Sequence, residues 1–129
     1  MHVATIAIFN TSQDTVDALR MFFKQRGFDT VSAHIDEIKR GELDFVEFVK
    51  SHDPRAVVYD IAPPYDHNWT FLRLLRDTDA MRGRPVVITT THKANLERLV
   101  GPTGAIEIIG KPYDLEQVVS AVRRAVEGG

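Results

Sequence analysis

Two charged residues, Asp60 and Lys111, each stand at the end of an apolar run of the chain. The runs cover residues 56–59 and 105–109, and both have the composition of buried strands. In a parallel sheet, side chains beyond the carboxyl ends of the strands share one crevice, and ligands bind in that crevice. We therefore expect a carboxylate and an ammonium group to meet at this edge of the sheet.

Hydroxyl and amide side chains reach the same edge. The strand before the Lys111 strand ends in Thr89 and Thr90, and the first strand delivers Asn10 and Thr11. A carboxylate, a hydroxyl and an ammonium group suit a phosphoryl group, which needs an oxygen nucleophile, a donor and a cation on its oxygens. A plain salt bridge, with a threonine hydroxyl bonded to the backbone, is the alternative that position alone leaves open.

Five strand-like runs alternate with five helix-like runs, which predicts a parallel sheet covered by helices on both faces. The strands are near-continuous apolar runs, as buried parallel strands are. The 129 residues fit one domain, 1–129, with a flavodoxin-like doubly wound α/β fold, a five-stranded parallel sheet in the order 2-1-3-4-5 and five helices. The predicted strands are 3–9, 30–35, 55–61, 85–90 and 105–109, and the predicted helices are 13–26, 42–51, 69–77, 95–100 and a last one capped by Asp114.

Composition excludes several function classes. The net charge is −2, so the chain lacks the excess of basic residues that would indicate a nucleic-acid partner. The chain has no cysteine, which rules out disulfides and thiolate metal sites and agrees with the cytoplasm as its compartment. No apolar stretch approaches the roughly 18 residues of a membrane span, so we expect no membrane partner either.

Three motifs, in this order, resemble the receiver domain of two-component response regulators. Residues 60–64 resemble the phosphoacceptor strand and its proline-containing turn. Residues 85–91 resemble the strand that ends in a phosphate-binding hydroxyl, at Thr90. Residues 104–115, with Lys111-Pro112 inside them, resemble the final strand and the start of the last helix.

The resemblance implies that Asp60 accepts a phosphoryl group, that Lys111 and Thr90 contact its oxygens, and that Mg²⁺ assists. The metal ligands would be Asp60, Asn10 and the backbone carbonyl of Ala62. The resemblance also implies a signalling protein rather than an enzyme. Its partners would be a sensor histidine kinase or phosphotransfer protein, a downstream protein, and a second copy bound through the fourth helix, fifth strand and fifth helix.

The chain departs from the family pattern at two places. Asn10-Thr11 replaces an acidic pair that helps to hold Mg²⁺, and Ile108 replaces an aromatic residue that takes part in switching. Each missing charge at about 4 Å forgoes roughly 4 kcal/mol of gross attraction at an effective dielectric constant near 20, and carboxylate dehydration offsets part of that loss. We therefore expect a weak Mg²⁺ site.

Two further functions stay open at this point. The same fold can serve as a phosphorylation-independent interaction module, a pseudo-receiver. It can also hold a flavin, with the hydroxyl-rich residues 10–15 at a helix start as the phosphate cradle and Tyr65 or Trp69 over the ring.

Overall fold

A parallel sheet forms the centre of the molecule in the computed structural model, which describes residues 3–101, 106–111 and 114–128. All four neighbouring strand pairs are parallel. The strands are β1 (Thr5–Asn10), β2 (Asp29–His34), β3 (Ala56–Ile61), β4 (Val86–Thr90) and β5 (Ile106–Gly110). Their order is β2-β1-β3-β4-β5, which confirms the predicted doubly wound topology.

Helices cover both faces of this sheet. The described residues form six α-helices, not the predicted five, and one short 3-10 turn at Asp79–Met81. The α-helices are α1 (Gln13–Gln25), α2 (Ile35–Lys39), α3 (Phe45–His52), α4 (Tyr65–Arg76), α5 (Lys93–Val100) and α6 (Leu115–Gly128).

The additional helix, α2, follows β2 without a loop. The prediction was wrong here because Ile35 was assigned to the strand. The backbone N–H of His34 donates to Glu37 Oε1 at 3.2 Å, so a capping box starts the helix as soon as the strand ends. Burial of Ile35 and Ile38 then fixes α2 against the core.

The third predicted helix also begins earlier than expected, at Tyr65 instead of Trp69. Pro64 has extended backbone at the position before the first helical residue, where its missing N–H costs nothing. The proline-containing segment after β3 therefore ends at Pro64, and Tyr65 is the first residue of α4.

The chain buries two apolar clusters, one on each face of the sheet. Alternate residues of β3 supply both, with Tyr59 and Ile61 on the face covered by α2 to α5 and Val58 on the face covered by α1 and α6. This explains why the residues of β3 before Asp60 are apolar at consecutive positions and not at every second one. Asp114 caps α6 as predicted, since its Oδ1 accepts from the N–H of Gln117 at 2.9 Å.

Some predicted features lie outside the described residues. They are the motif residues Gly104 and Ala105, and Pro112 and Tyr113 after Lys111. In the part of the chain that the structure covers, no helix combines the length and the apolar composition of a membrane span.

Candidate functional site

The ends of β3 and β5 bring Asp60 and Lys111 together. The ammonium nitrogen of Lys111 lies 3.0 Å from Asp60 Oδ1. The backbone N–H of Lys111 donates to the carbonyl of Thr90 at 2.7 Å, which holds the residue beside the end of β4. The Asp60 side chain is only 6% exposed, so the carboxylate is paired inside the protein and not on its surface. The expected meeting of carboxylate and ammonium is confirmed.

A second donor reaches the same carboxylate oxygen. Thr89 pairs with Asp60 in the register of β3 and β4, and its hydroxyl donates to Asp60 Oδ1 at 2.6 Å. Thr89 is fully buried. Oδ1 therefore receives both Thr89 and Lys111, whereas no donor among the described residues is hydrogen-bonded to Oδ2.

Thr90 points to the other face of the sheet. Its hydroxyl donates to the carbonyl of Ile61 at 2.9 Å and accepts from the N–H of His92 at 3.4 Å. Thr90 contacts the backbone next to Asp60 in this conformation, and its role as a phosphoryl contact stays a prediction. The resemblance led us to Thr90 and passed over Thr89, because only the register of β3 and β4 decides which hydroxyl faces Asp60.

Asn10, the predicted replacement for an acidic metal ligand, is 98% buried at the end of β1. Its Oδ1 accepts from the N–H of Thr11 at 2.7 Å and from the N–H of Ser12 at 3.0 Å. A carbonyl oxygen has two lone pairs, so both are already used by the loop that follows the strand.

The backbone carbonyl of Ala62, another predicted metal ligand, is also hydrogen-bonded. The amide of Asn68, in the first turn of α4, donates to it at 2.7 Å. The Oδ1 of Asn68 accepts from the ammonium of Lys39 at 2.5 Å. A cation at the end of α2 is thereby linked through one amide to the backbone two residues beyond Asp60.

These contacts fit Mg²⁺ poorly. The ion prefers near-octahedral oxygen ligation that includes one or two carboxylates. Of the three predicted ligands, Asn10 has no lone pair left, Ala62 has one, and Asp60 has its Oδ2. No group of three or more acidic or histidine side chains arranged to hold a metal occurs in residues 3–101, 106–111 and 114–128.

The loops around the site are joined by aromatic and hydroxyl groups. The hydroxyls of Tyr65 and Thr91 lie 2.7 Å apart, and the Tyr65 ring is 6.1 Å from the His92 ring. Ile108 is half-buried and packs against the cluster covered by α2 to α5. The pKa of Tyr59, the residue before Asp60, is raised above its usual value. Burial is the main cause, and the negative charge of Asp60 adds to it.

The loop considered as a phosphate cradle has an ordinary structural use. Ser12 is the N-cap of α1, and its hydroxyl accepts from the N–H of Thr15 at 3.3 Å. This geometry gives the flavin hypothesis no support.

Comparison with known proteins gives a limited sequence match. No family model matches the chain. Among curated proteins, the sensor histidine kinase CheAY of Helicobacter pylori is 28% identical over 88 residues, a match that covers 66% of this chain. The same match covers 11% of that protein, so the chain spans a small part of the curated relative.

Solved structures match over nearly the whole chain. A response regulator receiver protein from Sinorhizobium medicae WSM419 superposes with a TM-score of 0.72 and 22% identity, covering 98% of this chain and 96% of that one. The signal receiver domain of a signal transduction histidine kinase from Syntrophus aciditrophicus gives 0.74 and 20%, covering 98% and 92%. The chain therefore has the receiver fold of two-component response regulators, as the motifs indicated.

Proposed function

We propose that this chain is a receiver that transmits signals in a two-component phosphorelay, with Asp60 as phosphoryl acceptor and a weakened dependence on Mg²⁺. The observation that supports the proposal most is the 3.0 Å contact between Lys111 and the buried carboxylate of Asp60. Such a pair at the carboxyl ends of parallel strands supplies a nucleophile and a fixed cation at one place.

In the proposed reaction, Asp60 Oδ2 attacks the phosphorus atom of the donor. The new O–P bond forms as the bond from phosphorus to the donor's leaving atom breaks, and that atom keeps the electron pair. A histidine nitrogen leaving in this way takes its proton from solvent. Lys111 neutralises charge on the phosphoryl oxygens, and Thr90 contacts them after its hydroxyl leaves the Ile61 carbonyl.

The proposed upstream partner is a sensor histidine kinase or a phosphotransfer protein. The names of the relatives support this, since one is a sensor histidine kinase and another is the receiver domain of a histidine kinase. The signal would leave through a downstream protein or through a homodimer formed by α5, β5 and α6. The proposal involves no enzymatic turnover and no nucleic acid or membrane, and it places the protein in the cytoplasm.

A second candidate function is that of a phosphorylation-independent interaction module. It is favoured by the two oxygens that are already satisfied, Oδ1 of Asp60 and Oδ1 of Asn10. Because donors of the protein itself already occupy these two oxygens, this part of the site is organised without phosphate or metal.

Intact-mass measurement separates the two functions. The protein is incubated with acetyl phosphate, with Mg²⁺ or with a chelator, beside the variant Asp60→Asn. We expect the wild type to gain the mass of one phosphoryl group, with only a modest effect of Mg²⁺, and the variant to gain none. An unchanged wild-type mass under both conditions would contradict phosphoryl acceptance and leave the interaction module as the better account.

A further inference from the structure

We propose that Thr89 is a positioning residue that shortens the lifetime of a phosphoryl group on Asp60, an inference that rests on the proposed function. Its hydroxyl donates to Asp60 Oδ1 at 2.6 Å, within the range of charge-assisted O–H···O⁻ bonds. Lys111 uses the same oxygen, so the attacking oxygen would be Oδ2.

The hydroxyl of Thr89 has little freedom to leave this position. Thr89 is fully buried in β4 and stands directly opposite Asp60 in β3. A β-branched side chain in a strand has few accessible rotamers, and a buried hydroxyl without a partner is costly. The donor is therefore fixed before and after any reaction at Asp60.

The strength of this hydrogen bond depends on the state of Asp60. In the free carboxylate, Oδ1 shares a full negative charge. In the acyl phosphate, Oδ2 is bonded to phosphorus and Oδ1 is a neutral carbonyl oxygen, which is a weaker acceptor. The hydroxyl of Thr89 therefore stabilises unmodified Asp60 more than phosphorylated Asp60.

The same difference acts on the rate of hydrolysis. A water oxygen attacks phosphorus, the Oδ2–P bond breaks, its electron pair returns to the Asp60 carboxylate, and the protons of water leave with phosphate and solvent. Negative charge grows on Oδ1 along this path, so the Thr89 hydrogen bond strengthens toward the transition state. When Asp60 attacks the phosphodonor, Oδ1 loses negative charge instead. The Thr89 hydrogen bond then weakens toward the transition state, so it slows phosphorylation.

If Thr89 had a purely structural role, a side chain of the same shape without the hydroxyl would leave the lifetime of the phosphoryl group unchanged. Val87, two residues earlier, lies on the same face of β4 and packs in the cluster of α1 and α6. Valine has nearly the shape of threonine and would fill this position as well. The exchange Thr89→Val therefore removes the donor with little change in side-chain volume, whereas Thr89→Ser keeps the donor.

The experiment compares wild type, Thr89→Val and Thr89→Ser after loading with acetyl phosphate. The donor is removed by desalting, and intact mass gives the fraction of phosphorylated protein over time. We expect Thr89→Val to retain the group about tenfold longer, as loss of one hydrogen bond to a charged group implies, and to reach a higher loading. Thr89→Ser should restore a lifetime close to that of wild type. Thr89→Ala serves as a second hydroxyl-free variant if Thr89→Val fails to fold.

The outcomes distinguish the inference from the proposed function. Equal lifetimes in wild type and the hydroxyl-free variants, or a serine variant that behaves like the valine one, would overturn the role of Thr89 alone. Phosphorylation of the valine variant with none in wild type would support the role of Thr89 and overturn phosphoryl acceptance by the natural chain. No phosphorylation of any variant would overturn both.

Discussion

The two partners of the central ion pair differ sharply in exposure. The ammonium of Lys111 and Oδ1 of Asp60 are 3.0 Å apart, yet the lysine side chain is 31% exposed and the aspartate side chain only 6%. Removal of Lys111 would therefore leave an unpaired carboxylate inside the protein, whereas removal of Asp60 would leave an ammonium group that is partly exposed. A lysine in this position can turn toward water, but the aspartate cannot.

Lys111→Ala should destabilise the protein more than Asp60→Asn does. The first change leaves a buried carboxylate with Thr89 as its remaining donor, and we expect a loss of about 1–2 kcal/mol, reduced from the usual buried-pair cost because the lysine is partly solvated. The second change removes the buried charge, and we expect a loss below about 1 kcal/mol. Urea denaturation at neutral pH measures both, and the reverse order would contradict the asymmetry.

Asn10→Asp should strengthen Mg²⁺ binding. A second carboxylate beside Asp60 adds a charged ligand, and even ~1.4 kcal/mol of added attraction raises the affinity about tenfold. Isothermal titration calorimetry with MgCl₂ compares the variant with wild type. Equal affinity in the two proteins would show that residue 10 does not limit metal binding.

The matched control for that experiment is Asn10→Ala. It removes both hydrogen bonds to the N–H groups of Thr11 and Ser12 and adds no ligand. We expect it to lower the free energy of unfolding by about 1–2 kcal/mol without any gain in Mg²⁺ affinity.

Two leucines of α4 provide a test of the core. Leu72 is 1% exposed and Leu74 is 63% exposed. Leu72→Ala should lower the free energy of unfolding by about 2–5 kcal/mol, because it opens a cavity in the cluster under α4. Leu74→Ala should change it by less than about 0.5 kcal/mol. Thermal or urea denaturation of the pair checks the placement of α4, and similar losses would contradict it.

Stability should fall in alkaline solution partly because of Tyr59. Its raised pKa means that the unfolded chain releases the phenol proton first, near pH 10, while the folded protein still holds it. This contribution is fully present below about pH 10 and is lost as the pH rises. Tyr59→Phe should make the decline above about pH 10 less steep, as measured by urea denaturation at several pH values. A decline of equal steepness would argue against the effect.

The sequence predicted the sheet and the central ion pair because both follow from local patterns. Alternation of strand-like and helix-like runs indicates a doubly wound sheet, and the residues that end its strands follow from where the apolar runs stop. The contact between Thr89 and Asp60 depends on the register of β3 against β4, and no local sequence pattern predicts that register. Helix α2 was missed for a similar reason, since its five residues are too few for a periodic apolar pattern and tertiary burial of Ile35 and Ile38 holds it.

Trp69 gives the molecule a built-in optical probe. It is the chain's one tryptophan, it is 6% exposed in α4, and its neighbour Asn68 is bonded to the carbonyl of Ala62. Its indole emission therefore originates from the segment that follows Asp60 and from no other part of the protein. Rearrangement of that segment should be visible as a change in intrinsic fluorescence, without any attached dye.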